Sequence, residues 1–200
     1  MSSGKEYRLE ELLLPHNMLR LYAMGAFPMA DEETGDVEWY MPETRAIIPL
    51  DEFAIPRSLR KFLESEPFEF RYDDNPLDVV HACAERRLTW INKRLIRGYE
   101  GLLALGALHS VETRQGGKLV GGLYGVTYKG AFFGESMFSR VSQASKAALV
   151  KLVERLRARG FRALDVQFLT DHLAMFGARE IDFPEYQDLL RYAYDVEPTF

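Results

Sequence analysis

Apolar residues recur along the chain with two periods, and the alternation between them outlines the fold. Met18, Leu21 and Tyr22 keep helical spacing between Asn17 and Met24, with Gly25 placed to end the turn. The clearest helical stripe is Leu149, Leu152, Val153 and Leu156, predicting a helix over Ser142–Arg159 that Gly160 closes. Pro56 opens a short helix to Leu63, Asn75-Pro76 one to about Arg86, and Pro184 a last one to about Tyr194. Residues 99–105 read as helical up to Gly106, and Asp171 as the cap of a short helix that closes at Gly177. Strand-like alternation or short apolar runs fill 45–50, 68–72, 107–113, 118–126, 132–138 and 163–169. Turns fall at Gln115-Gly116-Gly117 and Tyr128-Lys129-Gly130. The pattern predicts an α/β (α+β) chain without repeats or low-complexity tracts.

Composition narrows the class without naming a chemistry. At 47% hydrophobic and 28% charged residues, the 200-residue chain is an ordinary globular one. No apolar run approaches the ~20 residues of a membrane helix. Met1–Glu6 has no hydrophobic signal core, so a cytoplasmic location away from membranes is expected. One cysteine, Cys83, excludes an intrachain disulfide framework and a cysteine-rich metal site. Cys83 and His81 lie two apart on a helix and so do not share a face; Cys83 reads as core. The net charge of −5 argues against general nucleic-acid binding but leaves room for a local basic patch.

Three places carry candidate chemistry. The two strands around residues 118–139 contain Gly121, Gly122, Gly125 and Gly134, which imply either a bulge or a close approach to the backbone. Glu135 stands in the same aromatic run, where a carboxylate is costly unless partnered. Asp165 and Gln167 are two apart on a buried strand and so share a face, with Leu164, Val166 and Phe168 expected on the other. They could satisfy each other or serve a reaction. Trp90 lies among Arg86, Arg87, Lys93, Arg94 and Arg97, a stacking ring between cations. Arg57, Arg60 and Lys61 fall on one side of their helix, either as a solvated face or as a second basic patch.

The order of motifs adds more. Gly121-Gly122-Leu123-Tyr124-Gly125-Val126, then residues 132–140 (FFGESMFSR) and Gln143-Ala144-Ser145-Lys146, resemble the bacterial leucyl/phenylalanyl-tRNA–protein transferase family. So do Phe27-Pro28, Thr89-Trp90-Ile91, His109-Ser110-Val111-Glu112, Asp165-Val166-Gln167 and Phe176-Gly177-Ala178. The resemblance runs from about Leu19 to Leu190, to a short form without the family's usual N-terminal extension. It implies a small N-terminal domain over 1–65 and, over 66–200, a domain similar to the acetyltransferase (GNAT) sheet. It implies an aminoacyltransferase that moves Leu, Phe or Met from aminoacyl-tRNA to the α-amino group of proteins beginning with Arg or Lys, marking them for degradation. An aminoacyl ester is already activated, so no cofactor or metal is implied, and the enzyme is expected to act as a monomer.

Residue by residue, the resemblance implies that Asp165 and Gln167 serve peptide-bond formation and that Glu135 receives the acceptor's basic N-terminal side chain. Leu123, Met137 and Leu152 would form the donor side-chain pocket. Trp90 and Met29 would hold the terminal adenosine; Met29 stands where the family usually has tryptophan, so stacking there is weaker. Arg57, Arg60, Lys61, Arg86, Arg87, Lys93 and Arg94 would contact tRNA, although Glu64 and Ser65 replace part of the family's basic helix. Two rivals remain: an acyl-CoA N-acetyltransferase, disfavoured because the loop Ser139–Ala144 lacks glycine, and a non-catalytic domain binding tRNA or peptide N-termini.

Overall fold

The computed structural model describes residues 10–31, 33–65, 67–85 and 89–200. Arg86 and Arg87, expected at the tRNA surface, lie outside the described residues.

Helix α1 (Pro15–Ala23) leads into a two-stranded ribbon, β1 (Phe27–Ala30) and β2 (Val37–Tyr40). Strand β3 (Thr44–Ile47), helix α2 (Arg57–Leu63), strand β4 (Glu69–Tyr72) and helices α3 (Pro76–Ala84) and α4 (Lys93–Ala104) follow. Then come β5 (Leu108–Gln115), β6 (Lys118–Tyr128), β7 (Ala131–Ser139) and the long helix α5 (Ala144–Arg159). The chain ends with β8 (Ala163–Gln167), α6 (Asp171–Ala174), β9 (Arg179–Asp182) and α7 (Phe183–Tyr194). The α/β reading holds, and most boundaries fall within two or three residues of the apolar pattern. One cap differs: Thr170, not Asp171, opens α6, its hydroxyl accepting from the Leu173 amide.

Seven strands form one sheet in the order β4-β5-β6-β7-β8-β3-β9. Every neighbouring pair is antiparallel except β7–β8. Strand β3 is inserted between β8 and β9, so the sheet draws strands from both sides of residue 65. Two apolar layers cover its faces. One packs α1, α3, α4 and α7 through Tyr22, Val79, Tyr99 and Tyr186 against Tyr124 and Phe133. The other packs α5 through Leu149, Leu152, Val153 and Leu156 against Leu123, Phe132 and Leu164.

Two irregularities break the ladders at the centre. Register shifts between Tyr124 and Gly125 on β6, where a Cβ on Gly125 would run into the Phe133 carbonyl and the Phe132 ring. Glycine is needed there because the neighbouring strand occupies that space. On β8, Asp165 and Gln167 oppose adjacent β3 residues Ile47 and Ala46, leaving Val166 as an extra residue. Gln167 takes a left-handed φ of 65°, a conformation that costs a non-glycine residue of order 1 kcal/mol.

Candidate active site

The parallel pairing of β7 with β8 ends early, and the site begins where it ends. Ala131, Phe132 and Phe133 pair with Ala163, Leu164 and Asp165; beyond that β7 stays with β6 while β8 stays with β3. The strands separate, and a cavity of 440 Å³ occupies the gap. Leu123, Met137, Leu149, Leu152, Leu164 and Val166 supply its apolar wall, while Trp90, Tyr124 and Glu135 line it from the opposite face of the sheet. Parallel strands that diverge create such a crevice without any loop to form it.

Five expected residues meet in this cavity: the trio Leu123, Met137 and Leu152, with Glu135 and Trp90. Leu123 and Leu152 are also core residues, only 3% and 1% exposed. Among the positions missed by sequence reading are Leu149, Leu164, Val166, Thr170, His172 and Leu173. Most are apolar and carry no signal separating a cavity wall from ordinary core. His172 is held below the usual histidine range by burial and then by nearby Lys146, so its imidazole is neutral near pH 7.

Asp165 and Gln167 do share a face, and they do different things. Asp165 is 1% exposed and saturated. The Arg45 Nε donates to both its oxygens at 2.9 Å, Arg45 Nη2 to Oδ2 at 2.7 Å, and the Tyr186 hydroxyl to Oδ2 at 2.6 Å. The backbone amide of Gln167 donates to Oδ1 at 2.8 Å, closing the bulge. Arg45, itself 1% exposed, lies over the Phe27 ring at 4.4 Å and near Tyr186 at 5.0 Å. Burial works against its charge, but Asp165 overcomes this and holds the guanidinium above its ordinary range. Asp165 is therefore turned away from the cavity into an ion pair; it anchors Gln167 through the backbone. Arg45 was read only as the start of a strand, yet an arginine in an apolar run announces a buried carboxylate partner.

Gln167 completes the link to Glu135. Its Nε2 donates to Glu135 Oε1 at 3.1 Å, and the Tyr99 hydroxyl donates to Oε2 at 2.7 Å. The buried Tyr22 hydroxyl also acts on Glu135, from just outside hydrogen-bonding geometry. Glu135 is 8% exposed, and burial pushes its carboxyl up to about 7 despite the tyrosines and Arg45, with Asp165 adding to the rise. A carboxylate so desolvated, touching a cavity and lacking its own cation, attracts a cationic group.

The remaining expected residues lie elsewhere. Met29 sits at the Ala30 end of the ribbon, and the Ala30 amide donates to the Trp90 carbonyl, tying that ribbon end to the Trp90 segment. Arg57, Arg60 and Lys61 line a separate surface depression with Glu64. Lys93 and Arg94 occupy the first turn of α4, capped by the Asn92 side chain, with Arg94 paired to Asp36 at 3.5 Å. Cys83 is buried in the core. Among the described residues, no cluster of three or more His, Cys, Asp and Glu could hold a metal ion, and no helix is long and apolar enough to cross a membrane.

Comparison with known proteins joins these features to a family. Residues 47–191 match the family model "Leucyl/phenylalanyl-tRNA protein transferase", and residues 12–43 match that family's N-terminal domain. A leucyl/phenylalanyl-tRNA–protein transferase of Salinibacter ruber is 50% identical over 94% of this chain and 83% of its own length. The proteins of that name from Herpetosiphon aurantiacus and Phenylobacterium zucineum are 50% and 55% identical, over 94% and 92% of this chain and 98% and 86% of theirs. Among solved structures, a GNAT family acetyltransferase from Brucella melitensis with acetyl-CoA is 15% identical, covering 58% of this chain and 88% of that one at a TM-score of 0.45. That likeness is too distant to bear on activity. The relatives agree over nearly the whole chain, and both halves match one family: this chain belongs to the leucyl/phenylalanyl-tRNA–protein transferases.

Proposed function

We propose that this aminoacyltransferase moves a leucyl, phenylalanyl or methionyl group from the ribose ester of a tRNA to the α-amine of polypeptides beginning with Arg or Lys. One observation carries the reading: an apolar cavity of 440 Å³ opens between β7 and β8 with the desolvated Glu135 at its edge. The apolar wall suits the donor's side chain, and Glu135 suits the acceptor's cation.

The reaction forms a C–N bond at the ester carbonyl and breaks the C–O bond to the ribose; the amine loses a proton and the leaving ribose oxygen gains one. An α-amine with a pKa of about 7.7–8.0 is partly neutral at neutral pH, so positioning supplies most of the rate. Gln167 spends its Nε2 on Glu135, which leaves its carbonyl oxygen free to accept from the attacking amine. Asp165 does not touch the cavity; locked by Arg45 and Tyr186, it fixes the Gln167 backbone and hence the side chain's aim. Trp90 offers a ring at the cavity's border for the terminal adenosine, while Lys93, Arg94 and the Arg57, Arg60 and Lys61 face offer cations for tRNA phosphates.

The test is a matrix of labelled Leu-, Phe-, Met- and Arg-tRNA against peptides beginning with Arg, Lys, Asp and Glu. Transfer of Leu or Phe to Arg and Lys peptides is expected. Transfer confined to Arg-tRNA or to acidic peptides would overturn the reading.

A further inference from the structure

The polypeptide acceptor must continue beyond its first residue, and the protein surface next to Gln167 is unusual where that continuation would run. Phe168 and Leu169 follow Gln167 directly and are 49% and 39% exposed. Strand alternation places Phe168 with Leu164 and Val166, on the cavity side. The left-handed φ of Gln167 overrides this, and the Phe168 amide folds back to the Val166 carbonyl at 2.8 Å. Phe168 is thereby carried onto the ribbon, where its ring meets Phe27 edge-on at a centroid distance of 5.4 Å. Tyr40, 38% exposed, stacks on the same Phe27 at 6.0 Å with an interplanar angle of 29°. Phe27 is fully buried and backed by Arg45, so the exposed rings rest on a rigid floor. A strained backbone and an exposed aromatic ring in one turn both run against folding economy, and such strain is retained where it presents a group for use.

We infer that Phe168 and Tyr40 on the Phe27 floor form a subsite for the side chain of the acceptor's second residue, selecting apolar and aromatic side chains there. The inference rests on the proposed aminoacyl transfer. Geometry supports this occupant: a residue in an extended chain advances about 3.3 Å, so a peptide whose first residue is held by Glu135 and Gln167 brings its second to the turn that follows Gln167. Trp90 and Met29, expected to hold the adenosine, stand toward the Ala30 end of the ribbon, whereas the shelf stands at its Phe27 end.

The experiment measures kcat/KM for peptides Arg-Xaa, otherwise identical, with Xaa as Phe, Leu, Gly or Asp, and KM for Leu-tRNA in parallel. Half-burying an apolar side chain corresponds to roughly tenfold, so wild-type protein should favour Phe or Leu over Gly by about that factor, with Asp lowest. In Phe168→Ala the Phe-to-Gly ratio should fall toward one, and Phe168→Leu should restore most of it. Tyr40→Ala approaches the shelf from the other strand and should lower the same ratio. A general structural defect would slow all peptides together and leave their ratio intact. A flat dependence on Xaa in an active wild-type enzyme, or an unaltered ratio in both alanine variants, would overturn the subsite while leaving the transferase reading standing. A rise in the KM for Leu-tRNA with all peptide ratios unchanged would overturn it in favour of a nucleotide on the shelf. Absence of transfer from any donor would overturn the underlying reading itself.

Discussion

Asp165 and Glu135 are buried in the same sheet, linked through one glutamine, and differ in almost every respect that chemistry cares about. Asp165 has a bidentate arginine, a tyrosine hydroxyl and a backbone amide. Among the described residues, Glu135 has hydrogen bonds from one tyrosine hydroxyl and one side-chain amide, neither of them charged. Both are carboxylates hidden from water, yet only Glu135 touches the cavity, where burial raises its carboxyl to about 7. The difference lies in the countercharge. Supplied from within at Asp165, it makes a rigid anchor; at Glu135 no described side chain pairs with the carboxyl as a cation, and the group stays open to the cavity. A position's chemistry here follows its unmet valence rather than its burial.

The largest effect should come from breaking the satisfied side. Arg45→Met strands Asp165 as a buried charge, which commonly costs about 3–5 kcal/mol, read as a lower urea midpoint. Adding Asp165→Leu should recover much of that loss, because an apolar pair can replace a buried ion pair nearly neutrally. Additive losses in the double variant would show that the pair is not the anchor.

Glu135 should respond in the opposite direction. Its carboxyl titrates near 7 when folded but near ~4.3 in an unfolded chain, so between those values the native state holds a proton the unfolded state has lost. Its contribution to stability therefore falls as pH rises through that window and levels off above it. Glu135→Gln should then be more stable than wild type at pH 8 by up to roughly 3–4 kcal/mol, less any hydrogen bond it forfeits. The gap should close toward pH 4. Denaturant melts at pH 4, 6 and 8 decide the matter; equal stability at every pH would mean that Glu135 is not desolvated in solution.

On the cavity wall, Leu152→Ala should cost about 2–3 kcal/mol of stability and enlarge the donor space. Transfer from Phe-tRNA relative to Leu-tRNA should rise several-fold. An unchanged donor ratio would place the donor side chain elsewhere. The smallest effect concerns the surface. Neutralising Arg57, Arg60 and Lys61 together should weaken tRNA binding and lower its salt slope by about one unit for each lost phosphate contact. Lys93 and Arg94 form the second set to be removed in the same way.

Much of this was legible in the chain because the features obey local rules. The glycines of β6 and β7 implied either a bulge or a close approach to the backbone, and at Gly125 the register shifts while the Phe133 carbonyl fills the space of a Cβ. Alternation put Asp165 beside Gln167 on one face. Long-range pairing was not legible: Arg45 lies 120 residues from Asp165, and nothing local says that β3 slips between β8 and β9. Phe168 broke its alternation because a non-glycine residue, Gln167, adopts a left-handed turn that sequence patterns do not anticipate. Sorting Leu149, Leu164 and Val166 into a cavity wall needed the divergence of two strands, a property of the sheet and not of any segment.

Under the proposed function, Glu135 waits for a cation at the acceptor's N-terminus. The most direct measurement is kcat/KM for leucyl transfer to peptides differing only in residue one, with wild-type protein and Glu135→Gln. Wild type should favour Arg and Lys over Asp and Glu, and the variant should lose that preference by a factor between tens and thousands, the equivalent of about 2–5 kcal/mol for an unpaired desolvated charge. A wild-type preference for acidic N-termini, or a basic preference that survives Glu135→Gln intact, would contradict the account.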